Sequence, residues 1–208
     1  MTVDTGFLIT AFVTLFVIID PIGLTPMFMA LTQGMNAARR RAIALRSCIT
    51  AILILTLFSA FGESVLGFIG ISMPAFRVAG GILLFLTALE MLFERRSKRR
   101  AGQAEAEDDV PDPSVFPMAI PLIAGPGSIA TMILLSGQKP GVEGLVLVVA
   151  VMIAVVTVAF AFFLISGVLA RALGKTGINV VTRLLGMLLA ALAVQFVLDG
   201  LRDFGMAG

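Results

Sequence analysis

Pro21 and Pro26 stand five residues apart in an apolar stretch, and Pro121 and Pro126 repeat that spacing one hundred residues later. Proline lacks an amide hydrogen and its ring crowds the preceding turn, so each pair interrupts any helix that contains it. An interrupted helix leaves amides and carbonyls without partners. In hydrocarbon such groups are tolerated only where they face other protein or a water-filled cavity. A membrane chain with this pattern must gather its breaks around an interior site.

Composition places the chain in a membrane. Of 208 residues, 59% are hydrophobic, about 123, and six spans of about 20 residues take roughly 120. Charged residues make up 13%, about half the ~25% of a soluble domain. A soluble domain, a disordered chain and a disulfide scaffold are therefore excluded. The single cysteine, Cys48, reads as a small core residue. The chain has no His, the commonest general base and metal ligand, and no Trp or Tyr. Its 16 Phe residues stand in for the interfacial aromatic belt. The start, Met1-Thr2-Val3-Asp4, has no basic region and does not read as a cleaved signal.

Six spans are expected at about residues 6–34, 42–68, 74–93, 115–137, 144–170 and 180–201. The first three form one unit, residues 1–93, and the last three a second, residues 115–208. Between them, residues 94–114 form a polar linker, basic at Arg95, Arg96, Lys98, Arg99 and Arg100, then acidic at Glu105, Glu107, Asp108, Asp109 and Asp112. It reads as a solvated tether. Twelve of the 15 Lys and Arg fall in or beside the loops after spans 1, 3 and 5, leaving Arg77, Lys139 and Arg202 on the other side. The positive-inside rule puts the twelve in the cytoplasm and both termini outside. It also explains a pI near 9.2 without a nucleic-acid partner.

The proline pairs belong to a longer repeat. Leu66-Gly67-x-x-Gly70-Ile71-Ser72 lines up with Leu173-Gly174-x-x-Gly177-Ile178-Asn179 at an offset of 107, and Arg77-x-x-Gly80 with Arg183-x-x-Gly186 at 106. Ser72 and Asn179 are N-cap types ahead of an apolar helix. Gly80 and Gly186 allow close helix approach. Each half has three spans, so the second enters the membrane from the opposite side. The expected fold is an all-α membrane protein of six transmembrane helices in two inverted three-helix repeats, with helices 1 and 4 interrupted. Such repeats, broken at matching places, point to a transporter site.

A half-helix is expected to begin after each break, at about Thr25-Pro26 and at Gly125-Pro126-Gly127-Ser128. Its first amides are unpaired and its dipole presents about +0.5 charge, which suits a carboxylate. Gly125 and Gly127 let a ligand reach the backbone, Ser128 adds a hydroxyl, and Thr25 is its counterpart. Asp20 precedes the first break. An acid at membrane depth costs several kcal/mol unless paired. It is read either as the cap of a helix starting at Pro21 or as a holder of a substrate ammonium or coupling proton. Pro21, Gly23 and Pro26 complete that side. Arg77 and Arg183 either snorkel to the interface or pair with Asp20 or a substrate carboxylate. Glu63, Glu90 and Asp199 read as interfacial, and Gln195 as interhelical glue. No catalytic set is visible, since Ser128 has no His base, and no cluster of ligands suggests a metal or other cofactor.

Asp20-Pro21-x-Gly23-x-x-Pro26, Pro121-Leu122-x-Ala124-Gly125-Pro126-Gly127-Ser128-Ile129 and Arg77-x-x-Gly80-Gly81 resemble the MarC family of bacterial inner-membrane proteins, grouped with small neutral amino acid transporters. The resemblance covers essentially the whole chain. It implies a multi-pass plasma-membrane protein with six spans, carrying glycine, alanine or similar amino acids under an H+ or Na+ gradient. The family name also links some members to antibiotic resistance. The expected function is thus a secondary transporter of small neutral amino acids and not an enzyme. A channel or exporter of apolar compounds, or a non-transporting scaffold, is the alternative.

Overall fold

The structure, a computed structural model, describes residues 5–95, 99 and 112–206. Most of the linker, including Arg96, Lys98, Arg100, Glu105, Glu107, Asp108 and Asp109, lies outside the described residues, as do Met1–Asp4. The described chain folds into helices: α1 (Thr5–Ile19), α2 (Pro21–Leu31), α3 (Ala37–Phe68), α4 (Met73–Leu92), α5 (Ser114–Ile123), α6 (Pro126–Gln138), α7 (Val142–Leu164) and α8 (Ser166–Asp203). Five spans are long and apolar enough to cross a bilayer, with α1 and α2 together forming the first. A sixth results if α5 and α6, bent by 56°, count as one.

Local chemistry sets most boundaries. Asn36 caps α3 by accepting from the Arg39 amide at 2.8 Å, and Ser72 caps α4 by accepting from the Ala75 amide at 3.4 Å. Gly70, at φ 79°, makes the turn between them. Near the start of α5, Asp112 accepts from the Ser114 amide at 3.0 Å and pairs with Arg46 of α3 at 2.7 Å. Hydrogen bonds from Ser114, joined by the Arg46 guanidinium, hold the Asp112 carboxyl below the usual carboxylate range.

Three expectations are corrected. The first half-helix begins at Pro21, and Pro26 lies inside α2. Asp20 supplies a cap ahead of Pro21, and proline's fixed φ suits the first helical turn, so the break forms there. The second half-helix does begin at Pro126. Asp20-Pro21 and Gly125-Pro126 thus both stand at a helix start, 105 residues apart, where the other sequence matches are 106 and 107 apart. Next, α7 ends at Leu164 and α8 runs through Asn179, which caps nothing. The break in α8 falls instead at Gly174, whose φ of 60° suits a residue without Cβ. Finally, Gln195 bonds Asp199 at 2.8 Å on its own helix rather than bridging two helices.

The broken spans sit inside and the long helices surround them. α1 packs on α6, α7 and α8, and α2 on α7 and α8, while α3 packs on α5, α6 and α7. The most extensive seam joins α4 to α8. Glycines set its closeness. A Cβ on Gly81 would lie 2.8 Å from the Ala193 carbonyl oxygen, and one on Gly186 2.9 Å from the Met91 Cβ. Gly80 faces Leu134 of α6 instead. Cys48 is buried with its thiol against the Val156 carbonyl at 3.9 Å, as a small core residue should be. Leu53, Leu57 and Phe61 of α3, Ile82 and Leu86 of α4, and Val194 and Leu198 of α8 are exposed. Apolar side chains on the outer flanks are what a lipid-facing surface requires.

Candidate functional site

The two breaks are built from similar sequence and end up chemically different. At the first, Asp20 adopts the left-handed conformation, φ 57° and ψ 64°, which Asp tolerates better than most residues. Its Oδ1 accepts from the Gly23 amide at 3.0 Å. A Cβ on Gly23 would collide with that carboxylate. Thr25, fully buried, donates its hydroxyl to the Pro21 carbonyl at 3.0 Å. Asp20 itself is 1% exposed. The positive end of α2 is thus met by a carboxylate from the chain.

At the second break the backbone of α5 is extended at Phe116 and Ile120, and the chain bends at Ala124 before α6. Gly125 is the N-cap of α6, and no side chain caps this end. A side chain could not be supplied there: a Cβ on Gly125 would lie 2.5 Å from the Pro121 carbonyl oxygen. The first bond closing the helix is Ile129 N–H to the Gly125 carbonyl at 3.0 Å. The amides of Gly127 and Ser128 come before it. Ser128 is 3% exposed, and its hydroxyl makes no hydrogen bond to a described residue.

A cavity of about 260 Å³ opens at this end of α6. Gly125, Pro126, Gly127 and Ser128 line it, with Pro121 and Leu122 of α5, Ile18 of α1, Leu83 and Thr87 of α4, and Arg99. Ile18 belongs to the last turn of α1, so the C-terminal turn of α1 and the first turn of α6 both border the cavity. Thr87 donates its hydroxyl to the Leu83 carbonyl at 2.9 Å, which leaves its oxygen able to accept. Arg99 bonds Glu90 at 2.8 Å.

Of the expected site residues, Gly125, Pro126, Gly127 and Ser128 come together on the cavity. Asp20, Pro21, Gly23, Thr25 and Pro26 surround the first break and are not among its lining residues. Arg77 and Arg183 lie elsewhere and pair with acids other than Asp20. Arg77 pairs with Asp203, and Arg183 with Glu94 at 2.6 Å, one ion pair near each end of the α4–α8 seam. Sequence reasoning missed Ile18, Leu83, Thr87 and Arg99. Thr87 carried a signal, being the one hydroxyl residue of α4. Arg99 was hidden within the basic run of the linker. Among the described residues, no three His, Cys, Asp or Glu side chains gather as a metal site.

Comparison with known proteins agrees with this architecture. Residues 5–204 match the family described as MarC family integral membrane protein. A UPF0056 membrane protein of Aquifex aeolicus is 39% identical over 197 residues, covering 94% of this chain and 92% of that protein. The UPF0056 membrane protein YvbG of Bacillus subtilis is 38% identical over 200 residues, 95% of each chain. The UPF0056 inner membrane protein YhgN of Escherichia coli K12 is 38% identical over 195 residues, 94% of this chain and 96% of that one. No solved structure matches. With an all-helical set of membrane-length spans and this likeness along nearly its full length, the chain belongs to the MarC family of integral membrane proteins.

Proposed function

We propose that this protein is a secondary transporter of small neutral amino acids in the plasma membrane, moving its substrate unchanged. One observation carries the reading: the α6 end opens on a cavity, uncapped, where the α2 end is filled by the Asp20 carboxylate. A substrate carboxylate at Gly127 and Ser128 would do for α6 what Asp20 does for α2. The cavity, at about 260 Å³, is smaller than the roughly 300–1,000 Å³ of ordinary ligand pockets, and this favours glycine- or alanine-sized substrates.

Inverted halves support alternating access. Under such a twofold the third helices pair with each other, as α4 and α8 do, and so do the second helices, α3 and α7. The Arg77–Asp203 and Arg183–Glu94 pairs are exchanged by the same operation. Lysine and arginine placement supports both termini on the outer side, and the name of the Escherichia coli relative supports the inner membrane. Asp20, buried beside the first break, carries the coupling H+ or Na+.

The test is counterflow in proteoliposomes. Purified protein should exchange internal unlabelled alanine for external labelled alanine, as a carrier does and a channel does not. Ser128→Ala removes a hydroxyl that no other described residue uses. It should raise the half-saturation concentration about tenfold or more, the worth of a hydrogen bond to a charged group. Unchanged half-saturation would remove the carboxylate site. Flux without counterflow would favour the channel reading, and a stoichiometric partner without flux the scaffold.

A further inference from the structure

Glu90 is an acid whose surroundings are only half matched. Its Oε1 accepts from Arg99 Nη1 at 2.8 Å, while its Oε2 is buried without a hydrogen-bond partner among the described residues. A buried carboxylate oxygen left in this way is costly. Glu90 lies three residues beyond Thr87 and seven beyond Leu83 on α4. That spacing puts all three on one helix face, and Leu83 and Thr87 both line the cavity. Arg99 lines it too, beside the uncapped end of α6. Its guanidinium has five donors in a fork suited to a two-oxygen carboxylate.

We propose that the substrate enters the site by splitting this ion pair. The substrate carboxylate replaces Glu90 on Arg99 and meets the Gly127 and Ser128 amides. The substrate ammonium replaces Arg99 on Glu90, reaching its unmatched Oε2, with the Thr87 oxygen as a further acceptor. This rests on the carrier reading above and narrows the substrate to a zwitterion. A neutral zwitterion inserted into a neutral ion pair leaves the net charge of the site unchanged. A carboxylate without an ammonium strips Glu90 of its cation, and an amine without a carboxylate strips Arg99 of its anion. Either leaves one charge of the site without its counter-charge, beside the already unmatched Oε2 of Glu90. The site therefore selects amino acids over acids and amines of the same size.

Two readouts test it, alanine counterflow and the rise in melting temperature on adding alanine, with propionate and ethylamine as competitors. In the wild type, alanine should compete and stabilise, while propionate and ethylamine at a tenfold excess should do neither. Glu90→Gln should weaken alanine binding by about tenfold or more and let propionate compete as well as alanine does. Arg99→Gln should weaken alanine binding similarly, and Arg99→Lys should recover part of it. Wild-type alanine affinity in both Glu90→Gln and Arg99→Gln overturns the proposal, as does equal competition by propionate in the wild type. If alanine stabilises the wild type but not Glu90→Gln and no counterflow occurs, the ion-pair site stands and the carrier reading falls. If alanine neither stabilises nor exchanges, both fall.

Discussion

Asp20 and Gly125 are each followed by proline, and each stands at the start of a helix, α2 or α6. One brings a carboxylate to the helix end and the other has no room for a Cβ. The difference was not legible in the prolines, which match at an offset of 100, because proline permits a helix start without fixing it. The capping residue ahead of it decides. Asp20 was legible both as a cap and as a buried acid, and substitution separates the two roles. Asp20→Ala loses the cap and places Ala at positive φ, so it should cost about 1–2 kcal/mol and lower the melting temperature. Asp20→Asn keeps both the cap and the conformation, so its melting temperature should stay near that of the wild type. It removes the charge, so gradient-driven accumulation in proteoliposomes should be lost. Full accumulation in that variant would limit Asp20 to capping.

Long helices were readable as elements because twenty or more apolar residues have few other solutions in a bilayer. Their ends were less so. The run from α7 into α8 stays polar enough around residues 171–179 to read as a loop, yet its backbone is helical except at Gly174. The cavity was legible on the α6 side, where Gly, Pro and Ser interrupt hydrocarbon. It was hidden on the α4 and Arg99 side, because a partner supplied by another element leaves no local pattern. The seam between α4 and α8 depends on glycines facing backbone. Gly81→Val should overpack it against the Ala193 carbonyl, costing about 1–3 kcal/mol, whereas Gly67→Ala, with nothing within 4 Å of the added Cβ, should not. Thermal melting of the two purified variants compares them directly. A melting temperature for Gly81→Val equal to that of the wild type would mean that the seam is loose.

For the molecule as a whole, charge distribution predicts orientation. Cys48 is buried, so single cysteines can report on the surface. A cysteine in place of Lys139 should react with a membrane-impermeant thiol reagent added to intact cells. One in place of Arg171 should react only after the membrane is opened. The reverse pattern would invert the assigned topology.

The two ion pairs at the ends of α4 and α8 have a consequence for ancestry. On the inverted-repeat reading, each half carries one arginine at the start of its third span and one acid at or just past its end, and neither meets the other within the same half. A free-standing half would carry the complement of its own inverted copy. Two such copies, inserted in opposite directions, would close both contacts with a single sequence. Joining them in one gene would fix the pairing and release the two breaks to diverge, one filled by its own aspartate and the other left without a side-chain cap.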